Sequence, residues 1–224
     1  MTKTKSKKNI LASEDALAFW LPSNKEEKAI NRRSHLEEIN QVDEIWERLK
    51  VQLGDVLAVD SPHTFHPESF TYEELSENIS QAADAFSQLG VEPDDVVALF
   101  AENSPRWLIA DQGLMRSGAS DAVRGSTAPT SELRYILEDS NAVGLIVQNS
   151  DLWERLSLND KQINSLKFVI QLEGKACEGV FEWESFLKKG FNTNNINKLE
   201  KIIERQTKRI ATILYTSGTT GKPK

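Results

Sequence analysis

Short apolar runs at 96–100, 143–147, 168–172 and 210–215 recur along the chain, each set apart from the next by residues with helical periodicity. Runs this short, continuous rather than alternating, suit strands that are covered on both faces. Strands that alternate with helices lie in a parallel sheet, because a parallel connection needs a crossover long enough to hold a helix. The pattern predicts an α/β protein, with a mostly parallel sheet flanked by helices.

The punctuation between the runs supports this reading. Thr71 and Glu74 have capping-box spacing, and Leu75, Ile79, Ala82, Ala83, Phe86 and Leu89 then share one helical face that ends at Gly90. Ser104 and Pro105 open a second helix, running to Ser117 and stopped by Gly118. Further helices are expected over 131–139, near Trp153, over 183–189 and over 199–206, with a loop at 192–197. Before them, residues 25–53 read as a charged amphipathic helical region. Its apolar residues Leu36, Ile39, Val42, Ile45 or Trp46, Leu49 and Leu53 recur at steps of three and four, and Gly54 ends it. Two regions are expected: a basic tail with helical extension over 1–54, and the α/β body over 55–224.

Composition excludes several functions. A net charge of -7 argues against a chain built to grip nucleic acid. The single cysteine, Cys177, can form neither an internal disulfide nor a cysteine zinc site, which points to a reducing, cytoplasmic setting. Lys3, Lys5, Lys7 and Lys8 are not followed by the apolar stretch of a secretory signal, so the tail reads as solvated. Leu11, Leu17, Phe19, Trp20 and Leu21 favour packing onto the body over contact with a membrane surface, since Glu14 and Asp15 stand among them.

Chemistry concentrates where the last apolar run ends, in Thr216-Ser217-Gly218-Thr219-Thr220-Gly221-Lys222-Pro223-Lys224. Gly218 and Gly221 let backbone amides approach an anion, the four hydroxyls add neutral donors, and Lys222 and Lys224 supply charge. A Walker A loop needs glycine where Thr216 stands and a hydroxyl residue where Pro223 stands, so that pattern fails. No GxGxxG fingerprint and no G-x-S-x-G elbow is present. A plain hydrophilic turn has similar composition, but strand placement and two lysines favour a polyphosphate.

The stretch 213–224, Ile-Leu-Tyr-Thr-Ser-Gly-Thr-Thr-Gly-Lys-Pro-Lys, resembles the signature phosphate loop of the adenylate-forming (AMP-binding) enzymes. Phe70-Thr-Tyr-Glu-Glu-Leu75, Gly90-Val91, Val96-Val-Ala-Leu-Phe100 and Glu102-Asn-Ser-Pro-Arg-Trp107 follow that family's order, from about Val56 to the end. Ala122-Val-Arg-Gly-Ser126, Glu132-Leu133 and Tyr135-Ile-Leu137 are similar to a cyanobacterial and plastid branch that joins long-chain fatty acids to coenzyme A or acyl carrier protein. Lys208 and Arg209 depart from the acidic residue common before the loop strand.

The resemblance implies ATP and Mg²⁺ as requirements, with Thr216, Ser217, Gly218, Thr219, Thr220, Gly221, Lys222 and Lys224 at the phosphates. It implies no catalytic residue and no metal ligand within this chain, because the family's magnesium carboxylate, ribose aspartate, most of the acyl pocket and mobile lysine lie beyond the loop. A fragment inactive alone, missing its C-terminal half and prone to self-association, is therefore expected. A non-catalytic interaction module and a fragment of an aromatic acid or amino acid adenylating enzyme are the alternatives. His63 and His66 have metal-like spacing without an evident third ligand and read as loop residues. The five tryptophans are too dispersed for a base-stacking platform.

Overall fold

The computed structural model describes residue 39 and residues 42–190 and 209–216. The described residues belong to one compact unit, Glu38–Lys224. The basic tail, the apolar cluster at 11–21, most of the predicted helical region before residue 42, the loop at 192–197, the helix at 199–206 and residues 217–224 lie outside them.

Helix α1 (Glu44–Leu53) is the last part of the predicted helical region. No α1 residue is fully buried, and its main anchor is Trp46, whose indole N–H donates to Gln112 Oε1 at 2.6 Å. A hairpin of β1 (Leu57–Ser61) and β2 (Glu68–Thr71), which the sequence reading lacked, follows in antiparallel register. His63 and His66 stand in its turn, where the Thr64 hydroxyl donates to the carbonyls of Ser61 and His66.

Helix α2 (Tyr72–Gln88) starts at the expected capping box. The Thr71 hydroxyl accepts from the Glu74 N–H at 3.2 Å, and the Glu74 carboxylate accepts from the Thr71 N–H at 2.9 Å. Such a cap stabilises a helix by about 1 kcal/mol. Leu75, Ile79, Ala82, Ala83 and Phe86 are all buried, as the periodicity requires. Strand β3 (Val96–Phe100) leads to α3 (Pro105–Ser117), which begins where the Ser104 hydroxyl accepts from the Trp107 N–H. It ends at Gly118, whose φ of 89° is open to glycine but costly to residues with a Cβ.

The remaining elements are β4 (Ser120–Arg124), α4 (Thr130–Asp139), β5 (Gly144–Val147), α5 (Ser150–Leu156), α6 (Asp160–Asn164), β6 (Phe168–Gln171), β7 (Phe181–Glu182), α7 (Trp183–Gly190) and β8 (Thr212–Leu214). Among the described residues, six strands form one sheet in the order β7-β6-β5-β3-β4-β8, and every pairing in it is parallel.

Alternate residues of the strands feed two cores. Val97, Leu99, Ile146 and Ile170 face α2, α3 and α7, joining Phe86, Leu114 and Phe186. Ala98, Phe100, Leu145, Val147 and Val169 face α4 and α5, joining Leu133, Ile136 and Leu152. Both faces are covered, which is why the strands read as continuous apolar runs. Helices α2 and α3 cross closely at Gly113, where an added Cβ would lie 2.8 Å from Ala82 Cβ.

Arg106 ties the layers together on the first face. Its side chain is 8% exposed, and its guanidinium pairs with Glu68 of β2 at 2.9 Å and Glu184 of α7 at 2.8 Å. It also donates to the Leu172 carbonyl beyond β6. A buried guanidinium needs its donors satisfied by such partners. Arg106, quoted above only for its family resemblance, is thus a structural tie.

Candidate nucleotide site at the carboxyl edge of the sheet

In an open parallel sheet, ligands bind beyond the carboxyl ends of the strands, where successive connections leave in opposite directions. Here the connection from β3 runs through α3 on one face, while those from β4 and β5 run through α4 and α5 on the other. The switch lies around β3, with β4 and β5 on its two sides. Strand β8 pairs with β4 in the register Asp121↔Thr212, Ala122↔Ile213 and Val123↔Leu214. The chain therefore leaves β8 at the same edge where β4 ends in Arg124. Thr216 is exposed at that edge. The other loop residues named from sequence, Ser217, Gly218, Thr219, Thr220, Gly221, Lys222 and Lys224, lie outside the described residues.

Tyr215 anchors the end of this strand. It is 9% exposed, and its hydroxyl donates to Asp139 Oδ2 at 2.9 Å. Tyr135 donates to the other oxygen of the same carboxylate at 2.9 Å and meets the Tyr215 ring edge-on. Burial, and then the bond to Asp139, push the Tyr215 hydroxyl up to about 12. It stays a neutral donor under ordinary conditions.

A polar network joins the loops beyond the neighbouring strands. The Glu102 N–H donates to Gln148 Oε1 at 2.9 Å, and Gln148 donates onward to the Glu173 carboxylate at 3.2 Å. The Ser126 hydroxyl donates to Glu102 Oε1 at 2.9 Å. Arg155 of α5 reaches back to the carbonyls of Ser126 and Ala128. Arg124 pairs with Glu132 at 2.8 Å, fixing the strand end to the first turn of α4. Sequence reasoning quoted Glu102 only within a family-like hexapeptide, and did not find Gln148, Glu173, Arg155 or Asp139.

Lower in the sheet, Asp121 of β4 is fully buried, and among the described residues neither of its carboxylate oxygens has a hydrogen-bond partner of good geometry. Asp111 of α3 and the Thr212 hydroxyl of β8 are polar groups close enough to act on it. Burial, reinforced by Asp111, pushes Asp121 up to about 8. Asp111 itself accepts from Gln112 Nε2 at 2.6 Å. Burial raises the Asp43 carboxyl just before α1 above its usual range, against the opposing charges of Arg116 and Arg209.

Past Thr216 the sequence continues with hydroxyl residues, two glycines and two lysines, residue types that suit a polyphosphate. A model of the AMP-binding enzyme family matches residues 46–224. The chain belongs to that family, and its fold is that of the amino-terminal domain of adenylate-forming enzymes. The match starts some ten residues before the stretch judged similar from sequence.

Among its relatives is probable acyl-activating enzyme 16, chloroplastic, of Arabidopsis thaliana, 36% identical over 84% of this chain and 28% of its own length. A second is the long-chain-fatty-acid–[acyl-carrier-protein] ligase AEE15, chloroplastic, of the same plant, 33% identical over 82% of this chain and 27% of its own. The chain thus spans roughly a quarter of the length of these curated relatives. In three dimensions it is similar to the long-chain-fatty-acid–CoA ligase FadD1 of Archaeoglobus fulgidus, with a TM-score of 0.65 at 22% identity over 81% of this chain and 35% of that one. Among the described residues, no helix is long and apolar enough to cross a membrane.

Proposed function

We propose that this chain is the amino-terminal portion of an ATP-dependent ligase for long-chain fatty acids, and that it supplies the loop gripping the β- and γ-phosphates. Delivery of Thr216 by β8 to the carboxyl edge, beside the end of β4, carries this reading. The plastid relative AEE15 supports a fatty acid as substrate and acyl carrier protein as acceptor, and a further relative, the long-chain-fatty-acid–CoA ligase ACSBG2 of Xenopus laevis, supports coenzyme A as the other acceptor.

In the reaction so proposed, a substrate carboxylate oxygen attacks the α-phosphorus of ATP. The bond to the β-phosphate bridging oxygen breaks, and pyrophosphate leaves with that electron pair. A thiol, giving up its proton to solvent, then attacks the acyl carbon and expels AMP with the electron pair of the broken acyl–oxygen bond, giving the thioester. Ser217, Thr219, Thr220 and Lys224 orient the leaving phosphates and offset charge that grows on them. Mg²⁺ would neutralise phosphate charge when bound, and none of the loop residues named is a carboxylate suited to holding it. The body over 55–224 carries this loop, with residues 1–54 as an extension whose last helix packs on it.

Titration of the 224-residue chain with MgATP tests the reading. Binding that falls about tenfold in Lys224→Ala, the loss of one charge-assisted contact, is expected. Equal binding by both proteins would refute the loop's role. Labelled pyrophosphate should not exchange into ATP in the presence of fatty acid and this chain alone. Exchange above background would show that the chain holds a complete adenylating site.

A further inference from the structure

A line of polar groups crosses the interior from α1 to the sheet. It begins at Trp46, whose indole N–H donates to Gln112 Oε1 at 2.6 Å. The amide nitrogen of the same Gln112 donates to Asp111 Oδ2, also at 2.6 Å. Asp111 in turn acts on Asp121 of β4, and the Thr212 hydroxyl of β8 acts on the same carboxyl. Asp111, Gln112 and Asp121 are all buried.

The strand register explains where this line ends. Asp121 pairs with Val97 of β3 on one side and with Thr212 of β8 on the other. Register partners present their side chains to the same face of a sheet. Val97 lines the core beneath α2, α3 and α7, so Asp121 points towards α3 as well. Val97 offers it no polar group. Both carboxylate oxygens of Asp121 and the Thr212 hydroxyl are buried without a partner of good geometry among the described residues. Two carboxyls close together in such surroundings cannot both be charged. Burial and Asp111 hold the proton of the pair on Asp121, while Asp111 Oδ2 accepts from Gln112.

Helix α1 is the element most exposed to a change in this pair. None of its residues is fully buried, so the bond from Trp46 to Gln112 carries much of its seat. The charged groups around α1 lie nearer the surface. Glu47 pairs with Arg116 of α3 at 2.9 Å, and Lys50 pairs with Glu77 of α2 at 2.9 Å. Asp43, just before the helix, feels Arg116, Arg209 and Glu44. Gln112 alone of these contacts joins α1 to the buried carboxyls.

The geometry points to the Asp111–Asp121 pair as a proton-operated latch on α1, with Gln112 as its connecting arm. While the pair keeps its proton, Asp111 stays beside Asp121 and Gln112 stays bonded to Trp46. When the proton passes to solvent, two like charges remain in a buried space, and Asp111 turns away from Asp121. The Gln112 amide follows the Asp111 carboxylate, and its carbonyl draws off the Trp46 indole. Raising the pH through about 8 releases this hold on α1, and lowering it restores the hold.

Proton–nitrogen correlation NMR of the whole chain tests the latch. It follows the Trp46 indole N–H, identified by its absence from Trp46→Phe, from pH 6 to pH 10. A short hydrogen bond holds this resonance downfield, and it should move upfield in a single-proton step centred near pH 8. Asp121→Asn has no proton to lose, and Gln112→Leu cuts the arm, so each should leave the Trp46 resonance flat across the range. A flat resonance in the native chain would overturn the inference, and so would a step that persists in either variant. Where a variant does not fold, the native chain still decides. An aspartate carboxyl carbon must titrate with the same midpoint as the Trp46 indole, and midpoints a full pH unit apart overturn the latch.

Discussion

Replacing Asp121 by Asn removes a proton that the folded chain has to hold. In the unfolded chain this carboxyl titrates near its ordinary value of 3.8, whereas in the fold burial and Asp111 push it up to about 8. Between these values the native state binds a proton that the unfolded state has released. The stability contributed by this proton is therefore full below about pH 4, falls as pH rises, and levels off above the folded value.

The slope is about 1.4 kcal/mol per pH unit for one proton. From pH 4 to pH 7 that amounts to about 4 kcal/mol, an upper bound because the two carboxyls share the charge. Asn is nearly isosteric and neutral, so Asp121→Asn lacks this slope. Its amide must still find partners, which offsets the gain by about 1–3 kcal/mol. Urea unfolding of both proteins at pH 5, 6, 7 and 8 measures the difference directly. Their midpoints should diverge as pH rises, with the variant the more stable at pH 8. Parallel curves across that range would refute a buried, proton-holding Asp121.

Two further expectations follow from the packing. Gly113→Ala should destabilise by about 1–3 kcal/mol in thermal or urea melts, because its Cβ would lie 2.8 Å from Ala82 Cβ between α2 and α3. Tyr215→Phe should cost about 1 kcal/mol by losing the bond to Asp139, and should abolish the tyrosine absorbance change that titrates near pH 12.

Local signals were legible in the sequence, and contacts across loops were not. The Thr71–Glu74 box, the Ser104–Pro105 start and the Gly118 stop each act over a few residues, and each is found where its spacing placed it. The apolar runs became strands with boundaries shifted by a residue or two. The β1–β2 hairpin escaped notice because its strands are half-exposed and its turn has no Asn-Gly or Asp-Gly pair. Helix α6 carries an Asn159–Gln162 capping box but spans one short turn without an apolar stripe.

The strand order is likewise invisible locally, since β3 lies between β4 and β5 although the chain makes those two in succession. The candidate loop was found because its chemistry is contiguous. Glu102, Gln148 and Ser126 were not, because their association is set by which strand exits are neighbours, a property no periodicity encodes.

The order of the sheet also has a consequence for how the molecule is made. Among the described residues, β7 lies at one border of the sheet and β8 at the other, and β8 pairs with a strand synthesised about ninety residues earlier. On a ribosome, the strands from β3 to β7 can associate before β8 has emerged, so β8 docks onto a template already in place. Among the described strands, β8 is thus the last to be fixed. An intermediate lacking it would present β4 as an open border, and a chaperone that shields such a border would act at that stage of synthesis.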